Sequence, residues 1–352
     1  MNRRRHFLRT ALVASTSVLL PRISNAKSTP KTNQKKVVRP KRIKKGDRIG
    51  LIAPGYAIKP ETLEEAIKTL ESMGLKPFHT HRIIGKEYGY FSNTDEERAK
   101  DLNAMFANEK VDAILCARGG YGCTRILDKI DYSQIIKNPK ALIGFSDVTA
   151  LLNGVHQRTG LVTFHGPVGS TLNDSYSIAQ LEKVLMYPRR LTTITNVEPL
   201  ENKLKTNVEY DRYTISAGIA SGKLIGGSLT LINALIGTPD EIDFTDALVC
   251  IEDVEEAPYR IDRMLTQLIE GKTFKKAAGI IFGVCAGCNE STNPNSFTLK
   301  EVLMDRVRPL QIPSVYGMSF GHVKNNFTFP IGTQAQLNAA QMELKLLERA
   351  VT

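Results

Sequence analysis

The sequence predicts an α/β protein organised around a parallel sheet, followed by a second α/β domain. Three observations carry this reading. Short, near-continuous apolar runs alternate with segments of helical spacing from residue 47 onward. Those runs lack the in–out alternation of a half-exposed sheet, as expected of strands covered on both faces. A polar stretch rich in Thr, Asn and Lys, 188–217, then reads as a connection between a domain spanning 47–187 and another spanning 218–345. A chain of 352 residues has room for both.

Taken in order, Asp47–Ala53 is a short apolar strand stopped by Pro54-Gly55. Pro60–Met73 has helical spacing, with Leu63, Ala66, Ile67 and Leu70 on one face. Phe78–Ile84 is a second strand, Thr94–Asn108 a helix with a polar cap, and Val111–Ala117 a buried strand. Thr124–Lys129 opens another helix, Ala141–Phe145 is a strand, Val148–Arg158 a helix and Leu161–Phe164 a strand. In the second domain Gly226-Gly227 reads as a turn into a helix over Leu229–Ile236. The run Ala247–Ile251 is a buried strand, and so is Gly279–Val284. Between them Tyr259–Glu270 follows Pro258 with a stripe of Ile261, Met264, Leu265, Leu268 and Ile269, the clearest helix of the chain.

The formal charge of +11 suggests a nucleic-acid partner until its distribution is considered. Residues 1–46 hold 14 Lys or Arg and no acid, leaving 33 basic against 36 acidic residues in the remainder, a net of −3. A slightly acidic body gives no electrostatic footprint for nucleic acid. The excess is divided between what reads as an export signal over 1–26 and the arm that follows it. A basic region with Arg4-Arg5 precedes a short apolar stretch, Ala11–Leu20, and a small-x-small site at Ser24-Asn25-Ala26. Paired arginines followed by Phe7-Leu8 are similar to a twin-arginine signal, which implies a periplasmic location. The apolar stretch is too short to span a bilayer. Residues 27–46 read as a flexible basic arm. Of the five cysteines, Cys116 and Cys250 lie in apolar runs, and Cys285 and Cys288 form a C-A-G-C pair. One such pair is either core or a redox or metal half-site.

The segment Ala141–Gly154 carries the most chemistry. An apolar strand stops at Gly144, Ser146 follows, and a helix begins at once, the strand–turn–helix geometry that projects a nucleophilic hydroxyl. The run Gly144-Phe145-Ser146-Asp147-Val148-Thr149 is a relative of the standard G-x-S-x-G elbow and not a full match, because its last glycine is missing. The alternative is an ordinary loop with Ser146 or Asp147 capping the helix. A serine nucleophile needs a base, an acid to orient it and donors for an oxyanion. His156 is about three turns along the same helix and out of reach, while His79 and His81 flank a strand. His165 and His322 both lie beside glycines next to apolar strands and stay open as bases. Glu252 ends a buried run, with Asp253, Glu255 and Glu256 behind it as candidate caps for the next helix. Arg118-Gly119-Gly120-Tyr121-Gly122 follows a strand and suits an oxyanion turn; it lacks the spacing of a dinucleotide loop.

Together ARGGYG, GFSDVTALL, FHGP, GGSLTLI, IEDVEEAPYRIDRMLTQL and the late SFGHVKNN resemble the L,D-carboxypeptidases of the muramoyltetrapeptide type. These are serine peptidases that share their architecture with microcin-immunity peptidases. The resemblance runs over roughly residues 45–340, in the family's order. It implies a flavodoxin-like N-terminal domain and a smaller C-terminal α/β domain, a homodimer, and a triad of Ser146, Glu252 and His322. It also implies an oxyanion hole from the backbone N–H groups of Gly119, Gly120 and Asp147. Arg118 and Tyr121 are candidates for holding a murein peptide, and the chemistry needs neither cofactor nor metal. The export signal departs from the cytoplasmic, recycling members of the family. Two other readings remain: hydrolysis of peptide–nucleotide conjugates, and a periplasmic binding protein with two domains around a cleft.

Overall fold

The computed structural model describes residues 35–85, 88–198, 210–289 and 293–352. The expected export signal, 1–26, lies outside them. Residues 35–46, expected to continue a flexible arm, instead run along the body. Val38 exchanges backbone hydrogen bonds with Gly160 and Val162, Ile43 is buried, and Arg39 pairs with Glu348 at 2.5 Å. The apolar side chains of Val37, Val38 and Ile43 outweigh the basic composition around them.

Two open sheets share one contiguous apolar core. The first is built from β1 (Arg48–Ile52), β2 (Lys76–His79), β3 (Ala113–Cys116), β4 (Ala141–Gly144) and β5 (Thr163–His165). These five are mutually parallel, in the order β5-β4-β3-β1-β2. The sixth strand comes from the far end of the chain. Phe329–Ile331, which becomes β12 in chain order, pairs antiparallel with β5, placing Phe329 opposite His165. Connecting helices are α1 (Pro60–Ser72), α2 (Asp95–Ala107), α3 (Tyr132–Lys137) and α4 (Thr149–Thr159), followed by α5 (Ser175–Leu185).

The second sheet has eight strands. They are β6 (Thr192–Ile194), β7 (Tyr213–Ser216), β8 (Ile219–Ser228), β9 (Ala247–Glu252), β10 (Gly279–Val284), β11 (Ser314–Gly321), β13 (Gln334–Asn338) and β14 (Glu343–Leu346). Its centre, β8-β9-β10-β11, is parallel, and antiparallel strands close both sides. The stretch 188–217 therefore holds β6 and β7 in addition to its connecting role. Helices α6 (Leu229–Ala234), α7 (Pro258–Glu270) and α8 (Leu299–Arg306) complete it. The stripe of α7 buries Ile261, Leu265 and Leu268, each contributing about 2–3 kcal/mol by removal of apolar surface from water.

Three local expectations differ from the structure. The second strand starts at Lys76 and ends at His79, because Thr80 caps a short 3-10 turn over His81–Ile83 by accepting from the Arg82 N–H. Residues Cys123–Lys129 form a 3-10 segment, and the α-helix follows it as α3, capped by Asp131. Gly226-Gly227 is the end of the long strand β8, not a turn. Gly227 has φ +141, and a Cβ there would lie 2.3 Å from Thr149 Oγ1. That close approach sets α4 against β8: Thr149 Oγ1 accepts from the Ser228 N–H at 3.0 Å, and Asn153 Nδ2 donates to Gly226 O at 3.0 Å. Thr149→Val keeps the shape and removes the acceptor, leaving a buried N–H unpaired. We expect a loss of about 1–3 kcal/mol in urea unfolding.

Candidate active site

Ser146 sits just past the carboxyl end of β4, at the start of a 3-10 turn over Ser146–Val148 that runs into α4. Its φ is +63, a left-handed conformation that costs a side chain of this kind on the order of 1–3 kcal/mol. Strand and helix on either side hold it there. Glu252 is the last residue of β9, and His322 follows β11 directly. All three thus come from carboxyl ends of parallel strands, two from the second sheet and one from the first.

They form a continuous hydrogen-bond chain. The Glu252 carboxylate can only accept, so His322 Nδ1 carries the proton and donates to Oε2 at 2.8 Å. His322 Nε2 is then the acceptor for the Ser146 hydroxyl, 2.9 Å away. Glu252 is fully buried and the His322 side chain is 22% exposed. Burial alone would raise the Glu252 pKa, but the charge and hydrogen bond of His322, with the His165 imidazole close by, hold it down to about 2. Burial alone would lower the His322 pKa; the carboxylate of Glu252, with Asp253 and Glu255 beyond it, raises it above the ordinary histidine value. The neutral imidazole needed by a base is therefore present only above the ordinary range. We expect the acid limb of kcat/KM to fall above pH 6.5, the unperturbed histidine value, in a pH–rate profile. A limb below that value would contradict the pairing.

Gly119 flanks the serine. A Cβ on it would lie 2.8 Å from Ser146 Cβ and 3.1 Å from Oγ, so only glycine lets this backbone approach the hydroxyl. Asp147 is buried and its Oδ2 accepts from the Cys123 N–H at 2.9 Å, tying the turn after Ser146 to the Gly119–Cys123 loop. Burial pushes the Asp147 carboxyl pKa up. Buried Arg98 on α2 reinforces the same loop, donating to Gly122 O at 3.3 Å and to Pro54 O. No sequence pattern distinguishes Arg98 from a surface helix arginine. Arg118 and Tyr121 are on the loop's exposed side. Arg118 donates to Ala57 O at 3.3 Å and lies 5.6 Å from the Tyr56 ring centre, and Tyr121 packs against Tyr90 and Phe91.

The remaining candidates have other partners. His156 Nδ1 meets Leu161 O at 2.9 Å on the far side of α4. His165 is buried behind the Ser146–His322–Glu252 chain, not beside Ser146. Asp253 accepts from the Thr230 N–H at 2.8 Å in the first turn of α6, and burial followed by the nearby Glu252 charge pushes its pKa up to about 6. Glu256 pairs with Arg260 at 3.3 Å. All five cysteines are buried and none is bridged to another, Cys285 and Cys288 included. Among the described residues no helix is long and apolar enough to cross a membrane.

Comparison with known proteins agrees with this architecture. Residues 49–166 match the LD-carboxypeptidase N-terminal domain and residues 221–337 the LD-carboxypeptidase C-terminal domain. A Bacillus subtilis (strain 168) protein named "Probable murein peptide carboxypeptidase" is 38% identical over 307 residues, covering 86% of this chain and 92% of that one. The "Murein tetrapeptide carboxypeptidase" of Pseudomonas aeruginosa is 30% identical over 297 residues, covering 84% and 94%. Among solved structures, an MccF-like protein from Bacillus anthracis str. Ames superposes with a TM-score of 0.78 at 27% identity, covering 88% of this chain and 99% of that one. Fold and matches together define a peptidase, a hydrolase of two-domain α/β architecture. Both domain signatures occur in the family's order and near-complete relatives align along the body. The chain belongs to the LD-carboxypeptidase family.

Proposed function

We propose that the protein is a serine carboxypeptidase that removes the terminal D-alanine from murein tetrapeptide stems. The observation that carries this reading is the hydrogen-bond chain from Ser146 through His322 to Glu252. Ser146 Oγ attacks the carbonyl carbon of the last peptide bond while its proton passes to His322 Nε2. The buried Glu252 carboxylate stabilises the resulting imidazolium. Charge developing on the carbonyl oxygen meets the backbone N–H groups of Gly119, Gly120 and Asp147, at the start of a helix whose dipole favours an anion. Collapse breaks the C–N bond as His322 returns the proton to the departing D-alanine amine. Water, deprotonated by His322, then releases the acyl group and restores Ser146. The free carboxylate at the substrate's end suits a guanidinium, and Arg118 on the rim is our candidate.

We also propose that the chain is exported and acts on wall peptides in the periplasm, on the strength of the Arg4-Arg5 pattern and the apolar stretch after it. Incubating purified protein with soluble D-alanine-terminated muropeptides, with isolated sacculi and with a peptide–nucleotide conjugate tests the substrate. D-Alanine release from a murein peptide supports the reading. Cleavage of the conjugate alone supports the second one, which the MccF-like neighbour favours. Absence of Ser146 labelling by a fluorophosphonate would count against both.

A further inference from the structure

Glu252 presents two oxygens to a fully buried site, and His322 occupies only one. Oε2 accepts from His322 Nδ1 at 2.8 Å, whereas Oε1 has no hydrogen-bond partner among the described residues. A buried carboxylate oxygen without a donor is expensive. Facing it is a second buried group in the same condition. His165 is fully buried, neither of its ring nitrogens has a hydrogen-bond partner among the described residues, and its Nε2 lies 3.8 Å from Glu252 Oε1. A shift of about 1 Å brings the pair to hydrogen-bond length.

Both groups are held in place by what surrounds them. His165 ends β5, with Gly144 beside it on β4 and Phe329 opposite on β12. Its ring stacks on Phe329 at 4.5 Å and 15°, and Phe320 meets it edge-on at 5.9 Å. On the other side a Cβ on Gly321 would come within 3.0 Å of Glu252 Oε2, so the carboxylate is packed between Gly321 and the imidazole. The other ionisable groups near Glu252 offer Oε1 no proton. Asp253, next on the chain, is engaged with Thr230 and Val254. Glu255 follows in the same loop, and the Cys285 thiol on the neighbouring strand end has Cys288 as its partner.

We infer that His165 is a positioning residue for Glu252, donating from Nε2 to Oε1 and so holding Oε2 turned toward His322. The inference rests on the reading of Ser146, His322 and Glu252 as the catalytic set. The donated N–H orients the carboxylate without adding a net charge. Its dipole also places positive potential at the pair, which offsets part of the pull of Glu252 on the His322 proton. Phe at position 165 keeps a flat ring for the Phe329 stack and removes the donor. For His165→Phe we expect kcat to fall by roughly tenfold or more, the scale of one charge-assisted hydrogen bond, with KM within about twofold. Loss of the positive potential raises proton affinity at both Glu252 and His322, so the acid limb of kcat/KM should move up by about half a pH unit or more. His165→Gln returns an amide donor at similar reach and should bring the limb back.

An unmoved limb in a folded His165→Phe protein, or a His165→Gln protein that matches His165→Phe in both rate and limb, overturns the inference. A readout independent of turnover keeps it testable if the phenylalanine variant does not fold. In the ¹⁵N-histidine spectrum of the parent protein, His165 should carry its proton on Nε2, and Glu252→Gln should shift that resonance. A proton on Nδ1, or a resonance unchanged by Glu252→Gln, overturns the inference. If instead no murein peptide is cleaved and Ser146 is unreactive, the functional reading fails while the spectrum still decides the contact.

Discussion

Ser146→Ala should reduce D-alanine release by a factor on the order of 10⁴–10⁶, the scale seen when the nucleophile of a serine hydrolase is removed. The loss should appear in kcat, because the hydroxyl bonds to substrate only as the reaction proceeds. Measured in parallel, tetrapeptide binding should survive, since the Gly119–Cys123 loop and Arg118 are untouched. Alanine does not relieve the left-handed backbone at φ +63, so stability should stay near the parent's. Ser146→Gly should be equally inactive but more stable by about 1 kcal/mol, because glycine adopts that conformation without strain. Comparing the two melting curves separates the chemistry of the hydroxyl from the strain of holding it. Wild-type rates of D-alanine release in either variant would remove Ser146 from the mechanism.

Glu252→Gln should cost about 10⁴-fold in kcat, by analogy with the loss of the buried acid in other triads. The amide can present its NH₂ to His322 Nδ1, which then loses its proton and favours the tautomer that cannot take a proton from Ser146. The pH profile provides the sharper test. With the carboxylate charge gone, burial is left as the main influence on His322 and lowers its pKa, so the acid limb should move down. His165→Phe is expected to move the same limb upward, and the opposite signs distinguish loss of the anion from loss of its donor. The residual rate of Glu252→Gln against pH, measured with a D-alanine-terminated peptide, decides the point.

Much of the fold was legible because buried parallel strands advertise themselves as unbroken apolar runs. Ala247–Ile251 and Gly279–Val284 needed no context to be read as strands. The helix over 60–72 and that over 258–270 were equally plain, each with proline at its first turn. What a local pattern could not carry was pairing across sequence. Nothing in Phe329–Ile331 says that it joins the sheet begun by Arg48–Ile52, or that Thr192–Ile194 belongs to the other one. Gly226-Gly227 has the look of a turn because glycine pairs usually mark turns; the need for a bare backbone lies 78 residues away, at Thr149. The residues alone left His165 and His322 open as partners of Ser146, and only the family resemblance chose between them. Three-dimensional packing gives the physical reason for their difference: one nitrogen of His322 reaches the hydroxyl, while both nitrogens of His165 face inward.

The crossing of the last part of the chain from one sheet to the other has a consequence for how activity arises during synthesis. His322 lies between β11, a strand of the second sheet, and β12, which completes the first. A nascent chain that has folded only as far as Ser146 and Glu252 holds a hydroxyl and a carboxylate with no imidazole between them. Until residues 322–331 have been added, the serine is unarmed and one sheet still has an open edge beside His165. In the proposed mechanism a chain truncated before His322 has no base for Ser146, so the segment that supplies the base is also the one that adds the last strand to the first sheet.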